Sequence, residues 1–270
     1  MSLSTEAVPQ IPPEPANSGK WTTERVLEVR YLTPAMLSFR TTRGKEFRFT
    51  PGHYARLGIT ADDRGIVWRP YSMVSGAAED SLEFLATLVP GGAFSDALAR
   101  LRVGDAMQVE RASFGFLTVD QLATGRDLWM LASGTGLGPF VSILRDPAVW
   151  RGFERLIVVH SVRRSSELAY RAEIRALADE GASTAGKARL AYLPVVTREA
   201  GATTLAARIP TLLADGRLEE AVAPLTVEAS RLMVCGNPEM ARELRQMLGA
   251  RGFATTRRGV LGQMAFEKYW

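Results

Sequence analysis

Residues 128–144 read LWMLASGTGLGPFVSIL, an apolar run that passes through a glycine-rich turn. This pattern predicts a strand at Leu128–Ala132 and a helix at Gly138–Arg145. Glycines in such a turn allow the backbone to approach a pyrophosphate closely, and the helix start presents free N–H groups and the positive end of the helix dipole. The spacing differs from the G-x-G-x-x-G fingerprint, so the turn alone is compatible both with a nucleotide site and with an ordinary tight turn.

The C-terminal half of the chain repeats this alternation of apolar strands and helices. Continuous apolar strands that alternate with helices predict a parallel sheet covered on both faces, in a domain that spans 126–270. The remaining predicted strand–helix pairs are Leu156–His160 with Glu167–Glu180, Leu190–Val196 with Thr204–Asp215, and Arg231–Cys235 with Pro238–Arg251.

The N-terminal half has a different texture, with short strands separated by turn residues. Six strands at this spacing predict a small antiparallel β-barrel in a domain that spans 21–125. Residues 1–20 are rich in Pro, Ser, Glu and Ala, which predicts a disordered lead-in. The predicted strands are Arg25–Leu32, Met36–Thr42, His53–Ile59, Val67–Ser75, Leu82–Leu88 and Ala106–Glu110, and one short helix is predicted at Ser95–Leu101.

The composition excludes several classes of protein. The chain of 270 residues has one cysteine, Cys235, and two histidines, His53 and His160, so no disulfide within the chain, iron–sulfur cluster or other metal site is expected. Redox chemistry would then require an organic cofactor. The net charge of +4 is dispersed, which argues against nucleic acid, and no apolar run approaches the roughly 20 residues of a membrane helix. Without a secretory signal, a soluble, cytoplasmic and monomeric protein is expected.

Basic residues follow two of the predicted parallel strands. The strand that ends at His160 leads into Arg163 and Arg164, and the next leads into Arg198. Enzymes that prefer NAD usually carry an acid for the ribose hydroxyl at this position, whereas arginines suit the 2′-phosphate of NADP. Solvated surface arginines are the alternative interpretation.

Two further motifs lie in the predicted barrel. Arg69-Pro70-Tyr71-Ser72 offers a guanidinium for a pyrophosphate, an aromatic plane for a flavin ring and a hydroxyl beside that ring. The turn Gly92–Ser95 precedes the short helix, and its N–H groups could bind the other phosphate oxygens. Each motif alone is also compatible with an ordinary solvated or packed side chain.

Together with Cys235-Gly236-Asn237-Pro238-Glu239-Met240, these motifs occur in the order seen in the plant-type ferredoxin–NADP reductase superfamily, which the chain resembles from about Trp21 to Trp270. The ending Ala265-Phe266-Glu267-Lys268-Tyr269-Trp270 is similar to that of the bacterial ferredoxin/flavodoxin–NADP reductases. The resemblance implies an FAD-binding barrel, an NADP-binding α/β domain, and electron transfer between NADP(H) and ferredoxin or flavodoxin by hydride exchange at the flavin.

The resemblance also implies roles for individual residues. The implied catalytic residues are Ser72, Cys235, Ala265 and Glu267. The implied FAD contacts are Arg69, Pro70, Tyr71, Ser72, Met73, Val74, Gly92, Ala93, Phe94, Ser95, Phe266 and Trp270. The implied NADP contacts are Gly134, Thr135, Gly136, Pro139, Arg163 or Arg164, Arg198, Arg208, Gly236 and Met240.

The C-terminus departs from that of the chloroplast enzymes, which end in a tyrosine that covers the flavin. Ala265 would lie at that face here, with Trp270 either stacked on the adenine of FAD or part of a loose hydrophobic terminus. Two other functions stay open: an NADPH-dependent flavin or ferric reductase, and a non-catalytic redox-sensing or electron-transfer subunit. Arg43, Lys45, Arg48 and Arg64 are candidates for attracting an acidic carrier protein.

Overall fold

The N-terminal half folds into a six-stranded antiparallel sheet. The computed structural model describes residues 19–183 and 188–268. The strands of this sheet are β1 (Trp21–Thr33), β2 (Met36–Thr42), β3 (Tyr54–Thr60), β4 (Ile66–Ser72), β5 (Ser81–Thr87) and β6 (Ala106–Phe114). They lie in the order β4-β3-β6-β1-β2-β5, and a bridge between Met73 and Phe84 connects the two edges of the sheet. The predicted antiparallel barrel is therefore confirmed.

Strand β1 is longer than predicted because it pairs with two partners. Its first residues, Trp21–Arg25, align with β6, and the residues from Val26 onward align with β2. The short helix α1 (Ala93–Leu98) begins and ends earlier than predicted, and its Phe94 is buried in the core of the barrel.

The C-terminal half contains a five-stranded parallel sheet. Its strands are β7 (Asp127–Ser133), β8 (Arg155–Val162), β9 (Arg189–Val196), β10 (Ser230–Gly236) and β11 (Met264–Lys268), and they lie in the order β11-β10-β7-β8-β9. The helices are α2 (Gly138–Leu144), α3 (Val149–Gly152), α4 (Arg171–Ser183), α5 (Ile209–Ala214), α6 (Arg217–Glu220) and α7 (Pro238–Ala250).

Both faces of the parallel sheet are covered, as the continuous apolar strands predict. Successive residues of β7 point to opposite faces, so Met130 packs in one core with Phe140 of α2, and Leu131 packs in the other with Leu244 of α7. The first of these cores also contains Val74, two residues after the Arg69–Ser72 motif of the barrel, so α2 joins the two halves of the molecule.

Two predicted helices begin later than expected, and each has a local cause. A separate 3₁₀ turn at Ser165–Glu167 and a positive φ of 54° at Tyr170 delay the start of α4. Helix α5 begins only at Ile209 because Leu205 bridges to Val195 of β9. Within the described residues, no helix is long and apolar enough to cross a membrane.

The sequence did not predict strand β11. Met264–Lys268 pairs in parallel with Leu232–Gly236 of β10, so these five residues form an edge strand of the sheet. Trp270, expected near the adenine of FAD, lies outside the described residues.

Candidate cofactor-binding and redox site

The glycine-rich turn is held against the neighbouring strand β10 by close backbone contact. A Cβ atom added to Gly136 would lie 2.5 Å from the carbonyl oxygen of Cys235. Gly236 has a φ of 124°, and a Cβ there would lie 2.5 Å from the carbonyl oxygen of Ser133. These positions admit only glycine, because a side chain would collide with backbone that cannot rotate away. Gly134 is different: its φ is 56°, but no atom lies within 4 Å of an added Cβ.

His160 of β8 supports the same turn through a hydrogen bond. Its imidazole is fully buried, and Nε2 lies 3.0 Å from the carbonyl oxygen of Gly134. Because a carbonyl only accepts, Nε2 carries the proton, while Nδ1 has no hydrogen-bond partner. Burial lowers the pKa of His160 to about 4, so the ring is neutral near pH 7. A trans peptide that turns the Gly134 carbonyl inward turns the N–H of Thr135 outward.

A cleft of about 490 Å³ opens between the two halves of the molecule, over this turn. Ser133, Gly134 and Thr135 line one side, and the β1–β2 turn with the end of β5 lines the other. Asn237 caps α7 beside it, accepting from the N–H groups of Glu239 and Met240. The chain thus presents a backbone-lined trough of the kind that fits a dinucleotide phosphate.

Three of the four arginines that were predicted to bind the 2′-phosphate line the cleft. Arg163, Arg198 and Arg208 line the cleft, whereas Arg164 does not. The N–H groups of Arg163 and Arg164 both donate to the carboxylate of Glu167, which holds the turn after β8 in one conformation. Arg208 forms an ion pair with Glu243 at 2.7 Å, so its charge is partly neutralised.

The flavin motif lies on β4, and its aromatic ring is fixed by packing. The ring of Tyr71 stacks on Phe94 of α1 with centroids 5.3 Å apart and contacts the edge of Phe39. Burial raises the pKa of Tyr71 to about 12, so the phenol stays neutral. Arg69 is exposed beside it, where a phosphate could be reached.

The turn before α1 contains the second group of predicted FAD contacts. The hydroxyl oxygen of Ser95 accepts from the N–H of Val89 at 3.0 Å, which leaves its own proton available to a ligand. Gly92 starts the helix with its N–H bonded to the carbonyl of Val89. Of the remaining predicted FAD contacts, Met73 and Val74 are buried, Phe94 and Ala93 belong to α1, and Pro70 is exposed on β4.

Ser72 at the end of β4 meets Glu267 of β11, although 195 positions separate them in the chain. The hydroxyl of Ser72 donates to Oε1 of Glu267 at 3.0 Å, and Oε2 lies close to Gly115. Burial raises the pKa of Glu267 to about 7, against the opposing effect of this hydrogen bond. The carboxyl can therefore gain or lose a proton near neutral pH.

Cys235 is aligned with Glu267 across the β10–β11 pair. Burial, and then the nearby carboxylate of Glu267, raise the pKa of this thiol well above its ordinary value. The thiol is thus a neutral side chain and not an activated nucleophile. Ser72, Cys235 and Glu267 converge where β4 meets the C-terminal edge of the parallel sheet.

The predicted site residues Ala265 and Phe266 lie on opposite faces of β11. Ala265 is on the same face as Glu267, two residues earlier, and is buried in the core that contains α2. Phe266 points to the other face, beneath the guanidinium of Arg245 at 4.3 Å. Pro139 is buried in the first turn of α2, and Met240 is buried beside the cleft.

Sequence reasoning missed His160 as a support of the turn and the β1–β2 turn as a wall of the cleft. A single histidine in an otherwise apolar strand was an available signal, because a buried polar side chain needs a partner. The β1–β2 turn carried no such signal, since its role depends on how the two halves meet.

Comparison with known proteins agrees with this geometry. Residues 32–116 match the family described as Oxidoreductase FAD-binding domain, and residues 130–246 match the Oxidoreductase NAD-binding domain. The chain is 38% identical to ferredoxin–NADP reductase A of Sorangium cellulosum (strain So ce56), covering 92% of this chain and 90% of that protein. It is 37% identical to flavodoxin/ferredoxin–NADP reductase of Escherichia coli (strain K12), covering 83% and 88%.

A solved structure gives the same result. The ferredoxin NADP+ reductase from Neisseria gonorrhoeae with bound FAD and NADP superimposes with a TM-score of 0.86 at 35% identity, covering 93% of this chain and 99% of that one. The fold and the site define an oxidoreductase with one FAD-binding and one nicotinamide-nucleotide-binding domain. The chain belongs to the ferredoxin–NADP reductase family. The predicted family, two-domain fold, enzyme class and cofactors FAD and NADP(H) are thereby confirmed.

Proposed function

We propose that the protein transfers electrons between NADP(H) and a small one-electron carrier protein, ferredoxin or flavodoxin. The observation that supports this most directly is the convergence of Ser72, Cys235 and Glu267 beside the glycine-rich cleft. Relatives that match over most of their length carry the names ferredoxin–NADP reductase and flavodoxin/ferredoxin–NADP reductase.

The flavin side of the site supplies shape and charge. In the proposal, Arg69 and the turn Gly92–Ser95 hold the FAD pyrophosphate, while the packed ring of Tyr71 supports the flavin. When bound, FAD would supply hydride acceptance and the release of single electrons, which is chemistry that no side chain of the chain supplies. Glu267, whose pKa is about 7, can hold or release a proton beside the hydroxyl of Ser72.

The residues on the nucleotide side of the cleft would position NADP(H). Gly134, Thr135, Gly136 and Pro139 would bind the pyrophosphate of NADP(H) through their backbone. Arg163, Arg198 and Arg208 would bind the 2′-phosphate, and Cys235 and Gly236 would lie against the nicotinamide. Together these residues would hold the nicotinamide ring in contact with the flavin ring. Most of the catalytic advantage of such an enzyme arises from this placement.

The proposal also assigns units to the chain. Residues 21–125 form the FAD unit and 126–270 the NADP unit, which is supported by the gap between the end of β6 at Phe114 and the start of β7 at Asp127. A cytoplasmic monomer is the proposed state, and size-exclusion chromatography tests the monomer.

The decisive experiment compares electron acceptors. Purified protein loaded with FAD is supplied with NADPH and, in parallel, with ferredoxin, flavodoxin, free flavin and ferric citrate. We expect bleaching of the flavin by NADPH far faster than by NADH, and turnover with at least one carrier protein that exceeds turnover with the small acceptors. Faster turnover on free flavin or ferric iron would replace the proposal with a small-molecule reductase, and no bleaching by NADPH would replace it with a non-catalytic subunit.

Ionic strength tests how the carrier is attracted. Arg43 is held by the carbonyl oxygens of Phe47, Ala77 and Glu79, and Arg48 is exposed nearby. If such charges steer an acidic carrier, carrier-coupled turnover falls as salt rises, while NADPH-dependent ferricyanide reduction falls much less. Carrier-coupled turnover that does not respond to salt would remove the steering role.

A further inference from the structure

Helix α2 and its C-terminal cap contact the residues that follow the flavin motif at three levels. At its start, a Cβ atom added to Gly138 would lie 3.3 Å from Cγ2 of Val74. In its middle, the buried hydroxyl of Ser142 donates to the carbonyl oxygen of Ser75 at 2.7 Å. At its end, Nη1 of Arg145 donates to the carbonyl oxygen of Val74 at 3.2 Å. The helix that leaves the nucleotide turn thus lies along the residues that follow Ser72.

Arg145 also joins carboxylates from both halves of the molecule. Its Nη1 lies 2.9 Å from Glu83 and 3.3 Å from Glu79, which belong to the barrel. Its Nε and Nη2 form a two-pronged pair with Glu173 of α4, at 2.8 and 3.0 Å. Tyr170 completes the cluster by donating to Glu83 at 2.8 Å.

The ion pairs of Arg145 are partly buried and depend on the planar geometry of its guanidinium group. The Arg145 side chain is 19% exposed, so its ion pairs are screened less than surface pairs, and removing the guanidinium would leave three carboxylates facing one another. Burial by itself would lower the pKa of Arg145, but its bonds to Glu173 and Glu83 outweigh burial and raise it. The cation is therefore permanent, and a planar guanidinium satisfies several acceptors where an ammonium could not.

The ion-pair cluster around Arg145 lies where it can affect the distance between the two cofactor sites as well as stability. The nucleotide turn ends where α2 begins, and Val74 lies two positions after Ser72. Hydride transfer requires reacting atoms about 3–3.5 Å apart, and small misplacements cost large factors in rate. Any shift of α2 relative to Val74 would change the separation of the two cofactor sites.

We propose that Arg145 is a positioning residue that fixes α2 against Val74 and Ser75 and thereby sets the distance between the nicotinamide and flavin sites. The inference rests on the proposed function. Arg145 does not line the cleft and acts through α2 and the backbone of Val74.

The test measures flavin reduction in a single turnover, with FAD-loaded protein mixed with saturating NADPH in a stopped-flow instrument. For Arg145→Met we expect the reduction rate to fall roughly 10- to 50-fold, while the dissociation constant of NADPH changes by less than about threefold. The long-wavelength charge-transfer absorbance, which reports stacking of the two rings, should weaken in parallel. Arg145→Lys should retain part of the rate, because it keeps the charge but loses the two-pronged geometry.

Arg155→Met is the matched control. Arg155 is also a partly buried arginine that holds a buried carboxylate by two hydrogen bonds, to Asp127 at 2.7 Å each, but it lies at the start of β8, away from the cleft. We expect a lower melting temperature and a reduction rate within about twofold of the original. An Arg145→Met rate equal to the original, or an equal fall in both variants, would overturn the proposal.

If Arg145→Met does not fold, Ser142→Ala and Arg145→Lys decide the matter. Ser142→Ala removes only the hydrogen bond to Ser75, and we expect a roughly three- to fivefold slower reduction. Original rates in both variants would overturn the positioning role. Failure of the proposed function itself is distinguishable, because it is measured on the unaltered protein: either NADPH does not reduce the flavin, or the small acceptors turn over faster than the carrier proteins.

Discussion

The nucleotide half and the flavin half of the site are fixed by different kinds of contact. Gly136 and Gly236 lie so close to the backbone of neighbouring strands that a methyl group would collide with it. Tyr71 is instead held by the packed rings of Phe94 and Phe39, which are side chains that can adjust. Binding of NADP(H) should therefore be lost when a methyl group is added at Gly136 or Gly236. Binding of FAD should tolerate substitutions of Tyr71 that preserve the shape of its ring.

The largest effect is expected from Gly136→Ala. The new Cβ would lie 2.5 Å from the carbonyl oxygen of Cys235, so the turn must move away from β10. NADPH affinity should fall by at least about 100-fold, or roughly 3 kcal/mol, while FAD remains bound. Titration of the FAD-loaded variant with NADP+ measures the loss.

Gly134→Asn is the matched control for this prediction. Gly134 has open space around an added Cβ, and asparagine tolerates its φ of 56° better than other side chains. Its affinity should fall less than that of Gly136→Ala. Equal losses in the two variants would show that conformational freedom, and not the close approach to β10, is what the turn requires.

A smaller effect is expected from Arg198→Ala. The arginine lines the cleft, and losing a charge-assisted bond to a phosphate costs about 1.5–3 kcal/mol, so NADPH affinity should fall roughly 10- to 100-fold. NADH, which lacks the 2′-phosphate, should be affected less than about twofold. Arg164→Ala, outside the cleft, serves as the control. Equal losses for NADPH and NADH would remove Arg198 from the 2′-phosphate site.

The pH dependence of stability tests the contact between the two halves at Glu267. Its pKa is raised from 4.5 to about 7, so the folded protein holds this proton more tightly than the unfolded chain does. The resulting stabilisation is fully present below pH 4.5 and is lost as the pH rises through about 7. Glu267→Gln cannot ionise and should lack this loss, which we expect to be on the order of 3 kcal/mol. Urea unfolding across this range measures it, and parallel curves for the two proteins would contradict the assignment.

The smallest effect is expected from Tyr71→Phe. The variant keeps the ring that packs on Phe94 and loses only a hydroxyl that stays neutral at working pH. FAD affinity, followed by flavin fluorescence, should change by less than about threefold. A loss of more than tenfold would show that the hydroxyl itself binds FAD, and the flavin half would then be less tolerant than the comparison implies.

Local patterns carried most of the fold. The alternation of apolar strands and helices predicted four of the five parallel strands, and turn residues with short strands predicted the barrel. Strand β11 was missed because its five residues are too few to show a periodicity of their own, and their pairing partner in β10 lies about 30 positions earlier in the chain. The helix starts at Arg171 and Ile209 were missed for a related reason, since a turn and a long-range bridge override helix propensity there.

The candidate site was predictable where chemistry depends on residue type at short spacing. The glycine-rich turn, Arg69-Pro70-Tyr71-Ser72 and Cys235-Gly236 are motifs of this kind. The choice between Arg163 and Arg164 was not predictable, because adjacent residues leave a turn in different directions that only the backbone conformation defines.

Residue types along the chain are enough to identify which residues could bind phosphate and support a flavin ring, because those capacities reside in glycine backbones, guanidinium groups and aromatic rings. Three contacts follow only from how the chain folds: Ser72 meets Glu267, His160 turns the Gly134 carbonyl inward, and Arg145 ties α2 to both halves. Parallel strands and packed helices bring together residues far apart in the chain, and no local pattern records which of them will touch.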